Sequence, residues 1–161
     1  MRISHRMLAA TTLSTVLLTL AACGGGATEE KDEGGAAGKD APAASVKLSD
    51  SEYGRVLVDQ AGRTLYAFTK DKAGVSNCGA DCIAVWPALT TRSDPKPGEG
   101  MEKSLLTKTE LIKSVTQVTY NKWPLYYYVG DAVAGDINGQ GVDDEWFVVT
   151  ADGKLVTKQA G

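Results

Sequence analysis

Histidine is almost missing from this sequence. The only one, His5, lies in an N-terminal segment with the marks of a removable leader, so the mature chain has none. That excludes a Ser-His-Asp triad, a Cys-His pair, a His-ligated metal and a c-type haem. Excess basic charge is missing too: 17 Lys and Arg stand against 20 Asp and Glu, and without Arg2 and Arg6 the balance falls from −3 to −5. No nucleic-acid partner is expected, because phosphates call for a basic patch. Glycine loops of the Walker or dinucleotide type are absent. Glu52, Glu99, Glu102 and Glu110 show no spacing that fixes an acid and a base for glycoside hydrolysis. Nor is any apolar run long enough to span a bilayer. Leu8–Leu20 carries no charge, but it reaches only about 20 Å against a hydrocarbon core of roughly 30 Å.

What is there begins with targeting. Arg2, His5 and Arg6 precede that run, which is the layout of a secretory signal peptide. Leu20-Ala21-Ala22-Cys23 then resembles the lipobox of bacterial lipoproteins. The resemblance implies that Cys23 is acylated on sulfur, with palmitate among its chains, and becomes the new N-terminus. Two or more chains would hold the protein stably on the outer face of the bacterial cytoplasmic membrane. An ordinary signal peptide, with Cys23 incidental, is the competing reading. Gly24–Ser45 has no aromatic residue and no Leu, Ile, Val or Met. It cannot bury enough apolar surface to offset ordering, so it reads as a disordered tether. As a flexible coil it would span about 26 Å. The expected organisation is a signal peptide at 1–22, a lipidated Cys and linker at 23–45, and one domain at 46–161.

That domain reads as mainly β with little helix. Arg55–Val58, a four-residue loop at Asp59–Gly62, and Arg63–Phe68 form a first expected hairpin. Gln117–Tyr120, Asn121-Lys122, and Pro124–Val129 form a second, with Pro124 at a strand opening. Trp146–Val149, Ala151-Asp152-Gly153, and Lys154–Thr157 form a third around a strong Asp-Gly turn signal. Asp94–Gly100 reads as a loop, and Lys103–Lys113 fits either a helical turn or a short strand. A short helix is expected at Asp81–Val85, stopped by Pro87.

Shifted by 60 positions, the chain meets itself. Val58 falls on Val118, Leu65 on Leu125, Tyr66 on Tyr126, Asp71 on Asp131, Gly79 on Gly139 and Trp86 on Trp146. The expected architecture is therefore two hairpin repeats, at about 54–94 and 114–157, packed on one core. Tyr66-Ala-Phe68-Thr-Lys-Asp71 and Tyr126-Tyr-Tyr128-Val-Gly-Asp131 share the pattern Tyr-x-aromatic-x-x-Asp. In tandem, this resembles the bacterial secreted-repeat lipoproteins. Gly74 through Cys78, Cys82 and Trp86-Pro87 is similar to that family's first copy, and Gly135–Gly141 before Trp146 to its second. Trp123 departs from the small residue or His expected before Pro-Leu-Tyr. The resemblance implies an envelope lipoprotein, and it brings no catalytic residues with it.

Three constellations are candidates for chemistry. Tyr66 with Asp71, and Tyr126 with Asp131, could hold a polar ligand between hydroxyl and carboxylate. They could equally serve the fold, with Asp tying its loop and Tyr, Trp86 and Trp146 in the core. Cys78 and Cys82, outside the cytoplasm, read first as a disulfide. A cycling dithiol or a soft copper site is the alternative, although Met101 is the only mature Met available as a third ligand. Asp136, Asn138, Gln140 and Gly141 resemble the opening of a calcium loop, with Asp143 nearby. The bidentate Glu due at loop position 12 is instead Phe147, so a Gly-rich turn is favoured. No cofactor is expected. The expected partners are the membrane, through the anchor, and an envelope protein or small ligand. The expected role is non-enzymatic binding, with redox or copper handling at Cys78 and Cys82 as the alternative.

Overall fold

A computed structural model describes residues 43–112 and 115–157. The expected leader, Cys23 and the expected linker as far as position 42 lie outside the described residues. In chain order the strands are β1 (Ser45–Ser51), β2 (Gly54–Asp59), β3 (Tyr66–Phe68), β4 (Thr90–Thr91), β5 (Lys96–Pro97), β6 (Leu106–Ile112), β7 (Val115–Tyr120), β8 (Trp123–Pro124) and β9 (Trp146–Val148). Among the described residues the one α-helix is α1 (Ala80–Val85), which ends ahead of Pro87 as expected. Residues at the end of the expected linker are already ordered: Ala44 packs against the core and Ser45 opens β1.

The two halves are built alike. β1 pairs antiparallel with β2, Leu48 opposite Leu57; β6 pairs antiparallel with β7, Lys108 opposite Val118. β3 and β9 pair antiparallel, and β8 closes onto β7 with Pro124 opposite Thr119. The centre of the pseudo-symmetry lies between the two motif tyrosines. Tyr66 N donates to Tyr126 O and Tyr126 N to Tyr66 O, both at 2.9 Å. Each half also lends its Trp segment to the other half's Tyr strand. β9 pairs with β3, while Tyr127 N donates to Pro87 O at 2.8 Å and Leu89 N to Leu125 O at 2.9 Å.

The core follows strand alternation. Leu65 and Ala67 point to one buried cluster, with Leu57, Val118, Leu125 and Val149. Tyr66 and Phe68 point to the other, with Val56, Trp86, Tyr126, Trp146 and Val148.

Several local expectations are corrected. Asp59 N donates to Arg63 O at 2.9 Å, so the first hairpin loop is three residues, 60–62, closed by Gly62 at φ +87°. The second loop is two residues, Asn121 and Lys122 at φ 48° and 67°, as a type I′ turn requires. This difference shifts the strand before it: Leu57 N reaches Val149 O and Val118 N reaches Leu89 O. Val118 therefore corresponds to Leu57, not to Val58. Asp94–Gly100 is not loop throughout, because β5 lies parallel to β1 with Lys96 opposite Ser45. Lys103–Lys113 contains both alternatives, a 3-10 turn at Lys103–Leu105 followed by β6.

Candidate functional site

The motif side chains converge across the pseudo-symmetry centre. Tyr66 Oη donates to Asp131 Oδ2 at 2.8 Å, and Tyr126 Oη donates to Asp71 Oδ2 at 2.7 Å. Each Tyr thus bonds the Asp of the other copy, not the Asp five residues further along its own chain. The second oxygen of each carboxylate ties its loop. Asp71 Oδ1 accepts Asn77 N at 2.7 Å, and Asp131 Oδ1 accepts Asn138 N at 2.9 Å. The Asn side chains return to the chain, Asn77 Nδ2 to Lys70 O and Asn138 Nδ2 to Gly130 O. Ser76 Oγ lies 2.7 Å from Tyr126 Oη, and Gly139 N donates to Tyr66 Oη at 3.3 Å.

Electrostatics follow burial. Loss of water lifts the Asp71 and Asp131 carboxyls above their ordinary range, and the hydrogen bonds they accept offset only part of that. Burial, reinforced by the neighbouring carboxylate, pushes the Tyr66 and Tyr126 hydroxyls far above the ordinary phenol value. Both hydroxyls therefore keep their protons at neutral pH, the form that donates to the carboxylates.

Behind the tyrosines four rings stack in one pile. Phe68 lies on Trp146 (centroids 4.3 Å apart), Trp146 on Trp86 (3.9 Å, planes within 1°), and Trp86 on Tyr128 (4.3 Å). Tyr66 meets Trp86 edge-on at 5.5 Å and Tyr126 meets Trp146 at 5.2 Å. Such offset and edge contacts add to what the buried area alone supplies.

Cys78 and Cys82 form a disulfide, Cα atoms 5.2 Å apart, that ties α1 to the loop after Asp71. It borders the aromatic cluster, whereas Met101 packs against the other cluster, around Leu57. The three sulfurs that a copper site would share are not gathered. In the loop that resembles a calcium site, Asp136 Oδ2 accepts Ala132 N at 2.8 Å and Val133 N at 3.0 Å. Gln140 donates from Nε2 to Val156 O at 2.6 Å and accepts Val148 N on Oε1 at 2.8 Å. Asn138 is engaged with Asp131 and Gly130, and Asp143 is exposed at φ 55°. These groups tie a Gly-rich turn.

Two arrangements escape the sequence reading. Asn77 and Asn138 complete the carboxylate ties, and the signal for them was an Asn six and seven residues after each motif Asp. The second is a polar trio at the first hairpin. Asp59 Oδ2 accepts Arg63 Nε at 2.8 Å and Tyr127 Oη at 3.1 Å, with the guanidinium 4.1 Å over the Tyr127 ring. Burial opposes ionisation of Asp59, but the Arg63 amide and guanidinium outweigh it and hold the carboxyl below its ordinary value. Asp59 and Tyr127 wall a cleft of about 500 Å³ with Ala44, Leu89, Thr90 and Lys96.

Two hairpin units that exchange Trp segments and Tyr–Asp bonds define a β-rich tandem-repeat protein. The chain belongs to the family described as a secreted repeat of unknown function, which matches it twice, at residues 47–90 and 115–150. Both matches include a Tyr-x-aromatic-x-x-Asp motif and its Trp. Membership makes this a secreted, extracytoplasmic module. No curated protein and no solved structure matches the chain.

Proposed function

We propose that the protein is a lipid-anchored module on the outer face of a bacterial cytoplasmic membrane, and that it binds an envelope partner rather than converting a substrate. The observation that carries this reading is the internal engagement of the repeat motif. Tyr66, Tyr126, Asp71 and Asp131 spend their polar atoms on one another and on loop amides, and the Trp pair is stacked in the core. The motif that defines the repeat therefore serves the fold, and the surface and the tether are left to serve the role. The Leu20–Cys23 lipobox and the charge-mixed tether support the anchor.

The test uses the full chain expressed in a bacterium, as wild type and as Cys23→Ser. Wild type is expected in the membrane fraction, labelled by radioactive palmitate and released by detergent, with Cys23→Ser in the soluble extracytoplasmic fraction. Identical fractionation of the two chains would refute the anchor. In the same cells, cross-linking is expected to trap an envelope component on the anchored chain. Turnover of an envelope substrate by that chain would refute the binding role.

A further inference from the structure

The pseudo-symmetry breaks at the outer sheet edges. β1 and β6 are equivalent strands, each paired with the strand that precedes its hairpin loop. The outer edge of β1 is occupied by the β5 segment, with Lys96 N donating to Ala44 O at 2.8 Å and Gly98 N to Val46 O at 2.7 Å. Among the described residues β6 pairs with β7 alone. Leu106 N is taken by Lys103 O and the register shifts between Glu110 and Ile112, so among the described residues the regular open edge is residues 107–110, a template for another strand.

The orientation of that edge follows from β7. Val118 N donates to Leu89 O at 2.8 Å and Val118 O accepts Leu125 N at 3.0 Å. Both polar groups of Val118 point away from β6, so Lys108, opposite it, turns its own N–H and C=O to the open edge. By the alternation of antiparallel pairs, Glu110 does the same. The groups available for pairing therefore belong to one basic and one acidic residue, two positions apart. Lys108 Nζ already holds Asp94 Oδ1 of its own chain at 2.8 Å, an exposed ion pair of small worth, and the edge is self-complementary in charge.

We propose that β6 pairs antiparallel with β6 of a second copy, centred on Thr109. In that register the backbones of Lys108 and the partner copy's Glu110 exchange both hydrogen bonds, as do those of Glu110 and the partner copy's Lys108. Each cross-strand pair joins opposite charges on one face, the favourable arrangement for such neighbours. Thr109 faces Thr109 of the second copy, and Thr107 faces Leu111. Sliding the second strand by two residues would set Lys108 against Lys108, or Glu110 against Glu110, and lose the charge match. The product is a continuous sheet running β4-β7-β6 and then through the same strands of the second copy in reverse. Confinement of both copies to one membrane would raise their effective concentration and favour a small interface.

The test places single cysteines in the full chain as exported. Thr109→Cys sits at a non-hydrogen-bonded pair, with Cα atoms about 4.5 Å apart, within the range a disulfide spans. The expected result is a reductant-sensitive dimer from Thr109→Cys and several-fold less from Thr107→Cys, whose opposite number is Leu111. In the Thr109→Cys background, Lys108→Glu alone and Glu110→Lys alone are each expected to lose the dimer. Co-expressed, the two are expected to restore it as a mixed dimer, because each charge then meets its opposite. That rescue also shows that both variants fold. A monomeric Thr109→Cys chain at wild-type abundance, equal cross-linking at 107 and 109, or no mixed dimer would overturn the proposal.

Discussion

Each motif residue has one task that its chemistry fits. A buried phenol needs an acceptor, and a buried carboxylate needs donors. Here the two needs are met between copies, at 2.7 and 2.8 Å, and the loop amides of Asn77 and Asn138 take the remaining oxygens. The arrangement has a pH consequence. The Asp71 and Asp131 carboxyls stand above their ordinary value of 3.8 when folded, so the folded chain holds protons that the unfolded chain has released. Their contribution to stability is complete below 3.8 and falls as pH rises through the window up to the folded value. Denaturation of wild type and Asp71→Asn across that window should show the wild-type advantage shrinking with rising pH. An advantage that grows with pH would mean that hydrogen bonding, not burial, governs Asp71. Asp59 has the opposite sign: its contribution is present above 3.8 and lost as pH falls through its lowered folded value.

At the scale of elements, the strands hold the repeat and the loops absorb the differences. The first hairpin loop is one residue longer than the second, while the loop from Asp71 to Asn77 is one shorter than that from Asp131 to Asn138. The Tyr, Asp and Trp positions still keep their offset of 60, because pairing fixes them. Gly139 shows how tight that fixing is. A Cβ there would sit 2.8 Å from the Tyr66 ring and 2.9 Å from Trp86. Gly139→Ala is expected to cost about 1–3 kcal/mol, read as a lower urea midpoint. Gly79, its partner at offset 60, has open space beside it, so Gly79→Ala should cost far less. Equal costs would mean that the ring packing is looser than described. The sequence made much of this legible. Hairpin strands, the Asp-Gly turn, α1 and the Tyr, Asp and Trp anchors all carry local or repeated signals. β1 and β5 did not, since Ser45–Ser51 alternates weakly and Lys96-Pro97 owes its strand form to β1. The Tyr–Asp exchange was also hidden, because an offset shows which residues are equivalent, not which of them touch.

At the scale of the whole molecule, the disulfide and the motif do different work. Cys78–Cys82 closes a small ring around the start of α1, whereas the Tyr–Asp bonds and the ring pile join the two halves. Replacing both cysteines by Ala should cost about 2 kcal/mol by the loop-entropy argument. The near-ultraviolet circular dichroism of the stacked Trp pair should persist. Loss of that signal under native conditions would make the disulfide part of the fold's foundation. The central claim is that the two copies close on each other. Double-mutant cycles test it most directly, pairing Tyr66→Phe first with Asp131→Ala and then with Asp71→Ala. The account predicts a coupling of about 1–2 kcal/mol for the first pair and additivity within about 0.5 kcal/mol for the second. Coupling between Tyr66 and Asp71, with none to Asp131, would contradict it.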